Sequence, residues 1–461
     1  MMSQFKSMSL SHKTNDMNAE RVHIKEIIGG RYDNSFVLYH HRMSNYKYPC
    51  SPLNRFLIEK PQYGAGEAGV PRDSNESPRY IRITDIDWNG SLDESLGVTA
   101  KTIEEKYILN NNDILIARSG NTVGKSYIHK TEIVKEPCFF AGYLIRFVVD
   151  SNLISPDYIF IFTKLPVYND WVKVTQRVTG QPNINAEEYG NLPVPVPPID
   201  VQQKIVEVYS KAQQTRLDKF QEAKELLDGI DDYLLEMLGI DKKRNTNYKK
   251  QPIFRGISLL LGGRLDPQQF HPERMEVVET IRKGEWCRFK DVRNDVKTIS
   301  NKIPYGEIYI GMENIDSCTG DYVESKEKEI VSSAARFRKG DILFPKLRPY
   351  LNKVHRAQFD GFCSTEFHVF EAHDIDPDYL TIVLRSSLTL AQTKHLMTGN
   401  TLPRLQTTDV EELVIPNPDV SRQVEIVKYI HGIKDKAKQL QKEGDALLED
   451  TKQQIEKMII G

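Results

Sequence analysis

Tyr80-Ile-Arg-Ile-Thr-Asp-Ile-Asp87 returns 229 residues later as Tyr309-Ile-Gly-Met-Glu-Asn-Ile-Asp316. Its surroundings return with it. Asn112-Asp-Ile-Leu-Ile116 is matched by Gly340-Asp-Ile-Leu-Phe344, and Ser155-Pro-Asp-Tyr-Ile159 by Asp376-Pro-Asp-Tyr-Leu380. Thr179-Gly180 pairs with Thr398-Gly399, and Gly29-Gly-Arg-Tyr-Asp33 with Gly262-Gly-Arg-Leu-Asp266. The order is kept while the offset drifts only between 233 and 219. That pattern identifies a duplicated domain with small insertions. A duplicate with diverged interiors suits a protein that contacts two related but different targets.

A chain of 461 residues exceeds what one core organises, so about two to four domains are expected. No apolar run reaches the roughly 18 residues of a membrane span. Residues 1–20 are polar and lack an apolar signal region, so a frayed N-terminus is expected and not a secretory leader. The five cysteines form no Cys-x-x-Cys pair and read as reduced thiols of a cytoplasmic protein. Net charge is −2, yet Arg336–Arg356 holds seven Lys/Arg against one acid, and Asp241–Arg255 six against one. Such stretches are solvated loops or phosphate contacts.

Each copy follows one grammar. Short strand candidates come first: Tyr80–Ile86, Asp113–Ala117 and Tyr143–Val149, then Ile308–Met312, Asp341–Phe344 and Phe367–Phe370. A helix opens at Ser155-Pro156 or Asp376-Pro377, with proline in its first turn. After a Thr-Gly turn, a proline-bounded strand follows (Leu192–Pro198, Leu413–Pro418). A long helix closes each copy. Ile426, Ile430, Ile433, Ala437, Leu440, Gly444, Leu447, Thr451, Gln454 and Met458 step by four and three, as do Phe220, Ala223, Leu227, Ile230, Leu234 and Met237. This is a coiled-coil seam. A helix of nearly forty residues runs roughly 55 Å, longer than a small domain is wide. Mutual antiparallel pairing is therefore expected, with the two globular parts related by a pseudo-two-fold.

Catalytic signatures are missing where chemistry would need them. There is no Asn/Asp-Pro-Pro-aromatic loop for adenine methylation, and no Gly-x-Gly-x-x-Gly after a strand. Ser119-Gly-Asn-Thr-Val-Gly-Lys-Ser126 resembles a phosphate loop but has three residues, not four, between Gly120 and Gly124. An Arg/Lys-bearing glycine loop at a strand end better meets a DNA phosphate or base edge. His40-His41 and His271 show no ligand set for a metal. Arg31 and Arg264 read as fold-forming partners of Asp33 and Asp266.

These residues carry a resemblance. The Tyr-Ile-x-x-x-x-Ile-Asp strand, the (Asn/Gly)-Asp-Ile-Leu strand and the Thr-Gly turn lead into Pro197-Pro-Ile-Asp-Val-Gln-Gln-Lys-Ile205, which opens a long helix. In duplicate order, and with Pro418-Asp-Val-Ser-Arg-Gln423 as a weaker second version, they resemble the specificity subunit of type I restriction–modification enzymes. The likeness covers nearly everything from residue 21 onward. It implies an α+β chain: two tandem β-rich target-recognition domains (21–199 and 262–419) joined by two long helices (200–238 and 420–461) that pair as an antiparallel coiled coil. Residues 239–261 would be a basic linker. The partners implied are double-stranded DNA, two copies of a modification subunit and a restriction or motor subunit. The chain itself would hold no cofactor. S-adenosylmethionine, and ATP with Mg²⁺, would belong to the partners.

Arg, Lys, Asn and Gln read guanine and adenine edges in the major groove. The candidates are Gln62, Arg82, Thr84, Arg118, Asn121 and Lys125 in the first copy. In the second they are Asn314, Lys346, Arg348, Tyr350, Asn352, Lys353 and Arg404. The loop 345–353 shares no sequence with 119–126 although both flanks agree, as expected of readers with different targets. The helix seam expected for partner docking comprises Phe220, Leu227, Ile230, Leu234, Ile426, Ile430, Ile433, Leu440 and Leu447. Rival readings are the recognition subunit of a fused type II restriction–methylation enzyme, a coiled-coil interaction scaffold, and a nucleotidase using Gly120–Ser126.

Overall fold

The computed structural model describes residues 39, 43, 46–74, 77–93, 95–176, 181–241, 270–296, 298–324, 333–399 and 402–461. The expected frayed terminus, the basic linker beyond Asp241, Arg31, Arg264, His40-His41 and Thr179-Gly180 lie outside them. The chain divides into two compact units. One is residues 1–217 with 444–461, and the other is 218–443. Each unit thus takes one globular part and a stretch of both long helices.

In the first unit a four-stranded antiparallel sheet runs Gln62–Tyr63, Leu144–Phe147, Ile114–Ala117, Ser126–Ile128. The second unit has the same arrangement: Arg293–Asp295, Phe367–Ala372, Ile342–Pro345, His355–Arg356. Strand Ile114–Ala117 is buried on both faces. Ile114 and Ile116 enter the main core with Tyr158, Tyr168 and Tyr189. Leu115 enters a second cluster with Ile81, Phe140 and Leu144. Ile342 and Phe344 divide from Leu343 in the same way. Alternate side chains of a strand point to opposite faces, so the unbroken apolar run Ile-Leu-Ile or Ile-Leu-Phe is what a strand between two cores requires.

The expected strand over 80–86 is shorter than predicted. It spans Arg79–Ile81, pairs in parallel with Cys138–Phe140, and gives way to a 3₁₀ turn at Ile83–Asp85. Asp85 stops it by accepting the Arg82 amide at 2.9 Å. The proline-bounded strands do lie in two-stranded ribbons, Pro193–Pro195 on Cys50–Pro52 and Val414–Pro416 on Trp286–Arg288. Ser155 and Asp376 cap the helices Pro156–Phe162 and Pro377–Arg385, each accepting the amide three residues on. Gln202 and Gln423 then tie each cap to a long helix. Their side-chain oxygens accept the Ser155 and Asp376 amides, and their nitrogens donate to Pro197 and Pro418.

The long helices are Ile199–Asp228, continued after Gly229 by Ile230–Met237, and Val420–Ile460. In the second unit their partners run in opposite directions. Lys219 meets Glu443, Glu222 meets Lys436, Tyr233 stacks on Tyr429, and Arg422 donates to the Met237 carbonyl. In the first unit Arg216 meets Asp445 at 2.7 Å, and Ile205, Tyr209 and Ala212 share a core with Leu448, Ile455 and Ile459.

The expected seam needs correction. Leu234, Ile426 and Ile430 are buried, while Phe220, Leu227, Ile230, Ile433 and Leu440 are only half-buried. Leu447 is 39% exposed, and its neighbour Leu448 is the buried residue. Buried Gln423, Ile430, Ala437, Gly444 and Thr451 keep the seven-residue step, and towards the C-terminus Leu448, Ile455 and Ile459 are buried beside it.

Candidate nucleic-acid interface

In each unit the central strand opens into a loop of similar backbone design. In the first, Gly120 (φ 73°) opens the 3₁₀ turn Gly120–Thr122, and Gly124 (φ 89°) follows it. In the second, Arg348 (φ 47°) and Asn352 (φ 55°) bracket the turn Pro349–Leu351. The Gly120 amide donates to Pro182 and the Arg348 amide to Pro403. The sequence comparison suggested unrelated loops. They share an anchor bond and two left-handed positions, while the 3₁₀ turn sits one aligned position later in the second loop. Glycine takes a left-handed conformation freely, while a residue bearing Cβ is disfavoured by about 1–2 kcal/mol.

Several predicted contacts serve this framework. Lys125 donates to the carbonyls of Ile86 (2.7 Å) and Ile83, and burial lowers its pKa. Lys353 donates to the carbonyl of Met312 at 2.7 Å. Both lysines therefore clamp the 3₁₀ turn that follows the Tyr-Ile strand. Asn314 is buried, accepting the Gly311 amide and donating to Val323. Asn352 donates to the Arg385 carbonyl. Arg118 donates to Gly142 and Lys346 to Thr365, again equivalent places. Burial also depresses the Lys346 ammonium. Lys164 and Arg385, at matching positions, hold the carbonyls beyond the loop, Lys164 at Ser126 and Arg385 at Val354. Full burial pushes Lys164 well below the ordinary lysine value. An isolated cation in a sequence does not reveal whether backbone oxygens will claim it.

Other candidates stay outward. Asn121, Arg348 and Tyr350 are exposed at the loop tips. Arg348 has no side-chain hydrogen bond or ion pair among the described residues. Arg404 makes a two-pronged pair with Glu366 (3.1 and 2.8 Å). Gln62 is half-buried in an edge strand, opposite Arg146. Arg82, Thr84 and Arg118 converge on one cleft of about 550 Å³, together with Tyr143, Gly66 and Gly142. Arg82 is anchored by Asp85, with Nη2 at 2.7 Å from the carboxylate. Sequence reading missed the aromatic surround. The Arg118 guanidinium lies 5.0 Å from the Tyr63 ring and 6.0 Å from the Tyr143 ring. Lys125 lies 5.6 Å from Trp88, which is 56% exposed. Exposed aromatics beside cations offer stacking and cation–π contacts.

The fold adds to the reading of His271. The fold brings His271, Glu273 and His395 together, their ligand atoms within 4.8 Å. The imidazoles stack at 3.6 Å, and Lys394 and His395 both bind the Glu273 carboxylate. The group fastens helix Pro272–Ile281 to helix Ser387–Thr393. His395 is 122 residues from Glu273, so local ligand spacing could not show it.

Two β-rich units, each presenting a framed loop and a share of paired helices, define a duplicated recognition chain. The sequence says which kind. The family model for the type I restriction modification DNA specificity domain matches residues 77–227 and 275–450, well over half of the chain, and the chain belongs to that family. It is 20% identical over 380 residues to the MjaVIII specificity subunit of Methanocaldococcus jannaschii, covering 79% of this chain and 82% of that protein. It is 28% identical to the Escherichia coli EcoDI specificity subunit over 149 residues, 32% of this chain and only 33% of the relative's length. A solved S subunit of M. genitalium is 12% identical with a TM-score of 0.40, covering 94% of this chain and 98% of that one. A chain from a type I R-M complex assembly is 14% identical with a TM-score of 0.42, covering 89% and 97%. No helix among the described residues is long and apolar enough to cross a membrane.

Proposed function

We propose that this chain is the non-catalytic recognition subunit of a type I restriction–modification complex, reading a bipartite duplex with one unit per half-site. The observation that carries this reading is a loop anchored alike in both units, with Asn121 exposed in one and Arg348 and Tyr350 in the other. A common anchor with different tips is what two readers of different sequences need. Phosphate contacts position such a protein, and base edges specify. The paired long helices fix the gap between half-sites and dock two methyltransferase subunits, with a restriction or motor subunit as a further partner. S-adenosylmethionine, ATP and Mg²⁺ belong to those partners. Five unpaired cysteines suit work in the cytoplasm.

The test is sequencing of N6-methyladenine in genomic DNA from cells carrying the methyltransferase partner, with and without this chain. The expected result is a split motif of fixed gap that depends on the chain. An active methyltransferase with no chain-dependent motif would overturn the reading and favour a protein-binding scaffold.

A further inference from the structure

Resting on that reading, we infer that Arg348 is the residue by which the second unit selects a guanine, and that the matching place in the first unit is deliberately blank. The two loops align residue for residue at an offset of 228: Gly120 with Arg348, Gly124 with Asn352, Lys125 with Lys353. Position 352 explains itself. Asparagine tolerates the left-handed conformation, and its amide holds the Arg385 carbonyl. Position 348 does not. Glycine fits this corner without strain in the first unit, yet the second unit places arginine there at φ 47°. A strained residue persists where something outside the local backbone favours it.

Nothing among the described residues of the unit supplies that reward. The Arg348 backbone amide donates to Pro403, as Gly120 donates to Pro182, so the main chain gains nothing from the side chain. The guanidinium is exposed and has no partner among the described residues. The nearby carboxylate of Glu366 is taken by Arg404 through two hydrogen bonds. Around it, Lys346 and Lys353 are tied to the carbonyls of Thr365 and Met312. Of the basic stretch 346–353, Arg348 is therefore the cation left to reach outward. Pro349 is buried and restricts the loop directly after it, limiting the motion of the side chain's base. Among side chains, arginine matches the paired acceptors O6 and N7 of guanine, and a good pair of this kind discriminates by a factor of roughly 5 to 150. Arginine's fork also matches a phosphate, and the salt dependence of binding separates that contact from base reading.

The test uses the variant Arg348→Gly in the complete complex. Glycine relieves the strain, so the variant should unfold at the same temperature as the parent or higher, which separates loss of fold from loss of reading. In chain-dependent methylation sequencing, the expected result is that one guanine position in one half-site becomes degenerate. The other half-site, the gap and the remaining positions should stay unchanged. On duplexes differing only at that base pair, discrimination should fall by a factor of roughly 5 to 150. An unchanged motif, or uniformly weaker binding at every sequence with a reduced salt slope, would overturn the assignment and make Arg348 a bystander or a phosphate contact. A half-site that contains no guanine in the parent complex would overturn it as well. A parent complex with no split motif at all would instead defeat the proposed function.

Discussion

Gly444 lies against Arg216. A Cβ built on it would stand 3.3 Å from Cγ and 3.4 Å from Cα of that arginine, so the absence of a side chain is what lets the two helices approach here. Gly432, in the same helix, has nothing within 4 Å of such a Cβ. The two glycines should respond oppositely. Gly444→Leu overpacks the crossing and should destabilise the first unit by about 1–3 kcal/mol. Gly432→Ala should stabilise by about 0.5–1 kcal/mol, because it only removes backbone freedom. Thermal denaturation of the purified chain or complex checks both signs. A neutral Gly444→Leu would argue against close helix pairing at this point.

Lys125 and Asn121 are neighbours on one loop with separable roles. Lys125→Met leaves the carbonyls of Ile83 and Ile86 without their donor, and a loss of about 1–2 kcal/mol in stability is expected. Asn121→Ala, at an exposed tip, should change stability by less than about 0.5 kcal/mol while altering the methylated motif. Denaturant titrations beside motif sequencing distinguish the two. Equal stability losses would place Asn121 in the framework with Lys125.

Gln202 and Gln423 perform the same task in the two units. Replacing either by Leu orphans the Ser155 or Asp376 amide and the Pro197 or Pro418 carbonyl together. Each variant should lose about 2 kcal/mol. The two losses should agree closely, since the duplicated geometry is the same. A large loss for one and none for the other would show that the copies no longer share this staple.

His368 gives the second unit an acid-side weakness. It is buried, and burial, followed by the charges of Lys346 and Arg293, depresses its pKa from 6.5 to about 3. Between those values the unfolded chain binds a proton that the fold does not. Stability therefore falls as pH drops from about 6.5 toward about 3, with no contribution above that window. His368→Phe removes the titration and should flatten this slope by an amount on the order of a few kcal/mol. Urea unfolding of both proteins at pH 7 and pH 4.5 measures it. Parallel losses in parent and variant would show that other groups dominate.

The duplication, the α+β class and the long paired helices were legible in the chain because each leaves a local mark. Ile114–Ala117 and Ile342–Pro345 are apolar on both faces, Ser155 and Asp376 precede helix-opening prolines, and the helices carry a repeating apolar step. The site was legible only as a set of residue types. Which cations reach outward depends on carbonyls that the fold places beside them: Ile86 for Lys125, Met312 for Lys353, Thr365 for Lys346. Those oxygens lie some twenty to forty residues away in sequence, and main-chain acceptors carry no residue signature.

The same limit governs the helix seam and the loops. Leu447 and Leu448 are both leucine, and the packing of the helix, not the composition, decides that Leu448 turns inward. Gly120-Asn-Thr-Val-Gly124 and Arg348-Pro-Tyr-Leu-Asn352 match at no aligned position, yet the hydrogen bonds to Pro182 and Pro403 anchor them alike. The linear chain by itself determined that there are two copies of one domain and two long helices, since strand alternation and helical period are properties of neighbouring residues. Tertiary structure alone decided which side chains remain outward, because that depends on where distant backbone oxygens and carboxylates come to lie.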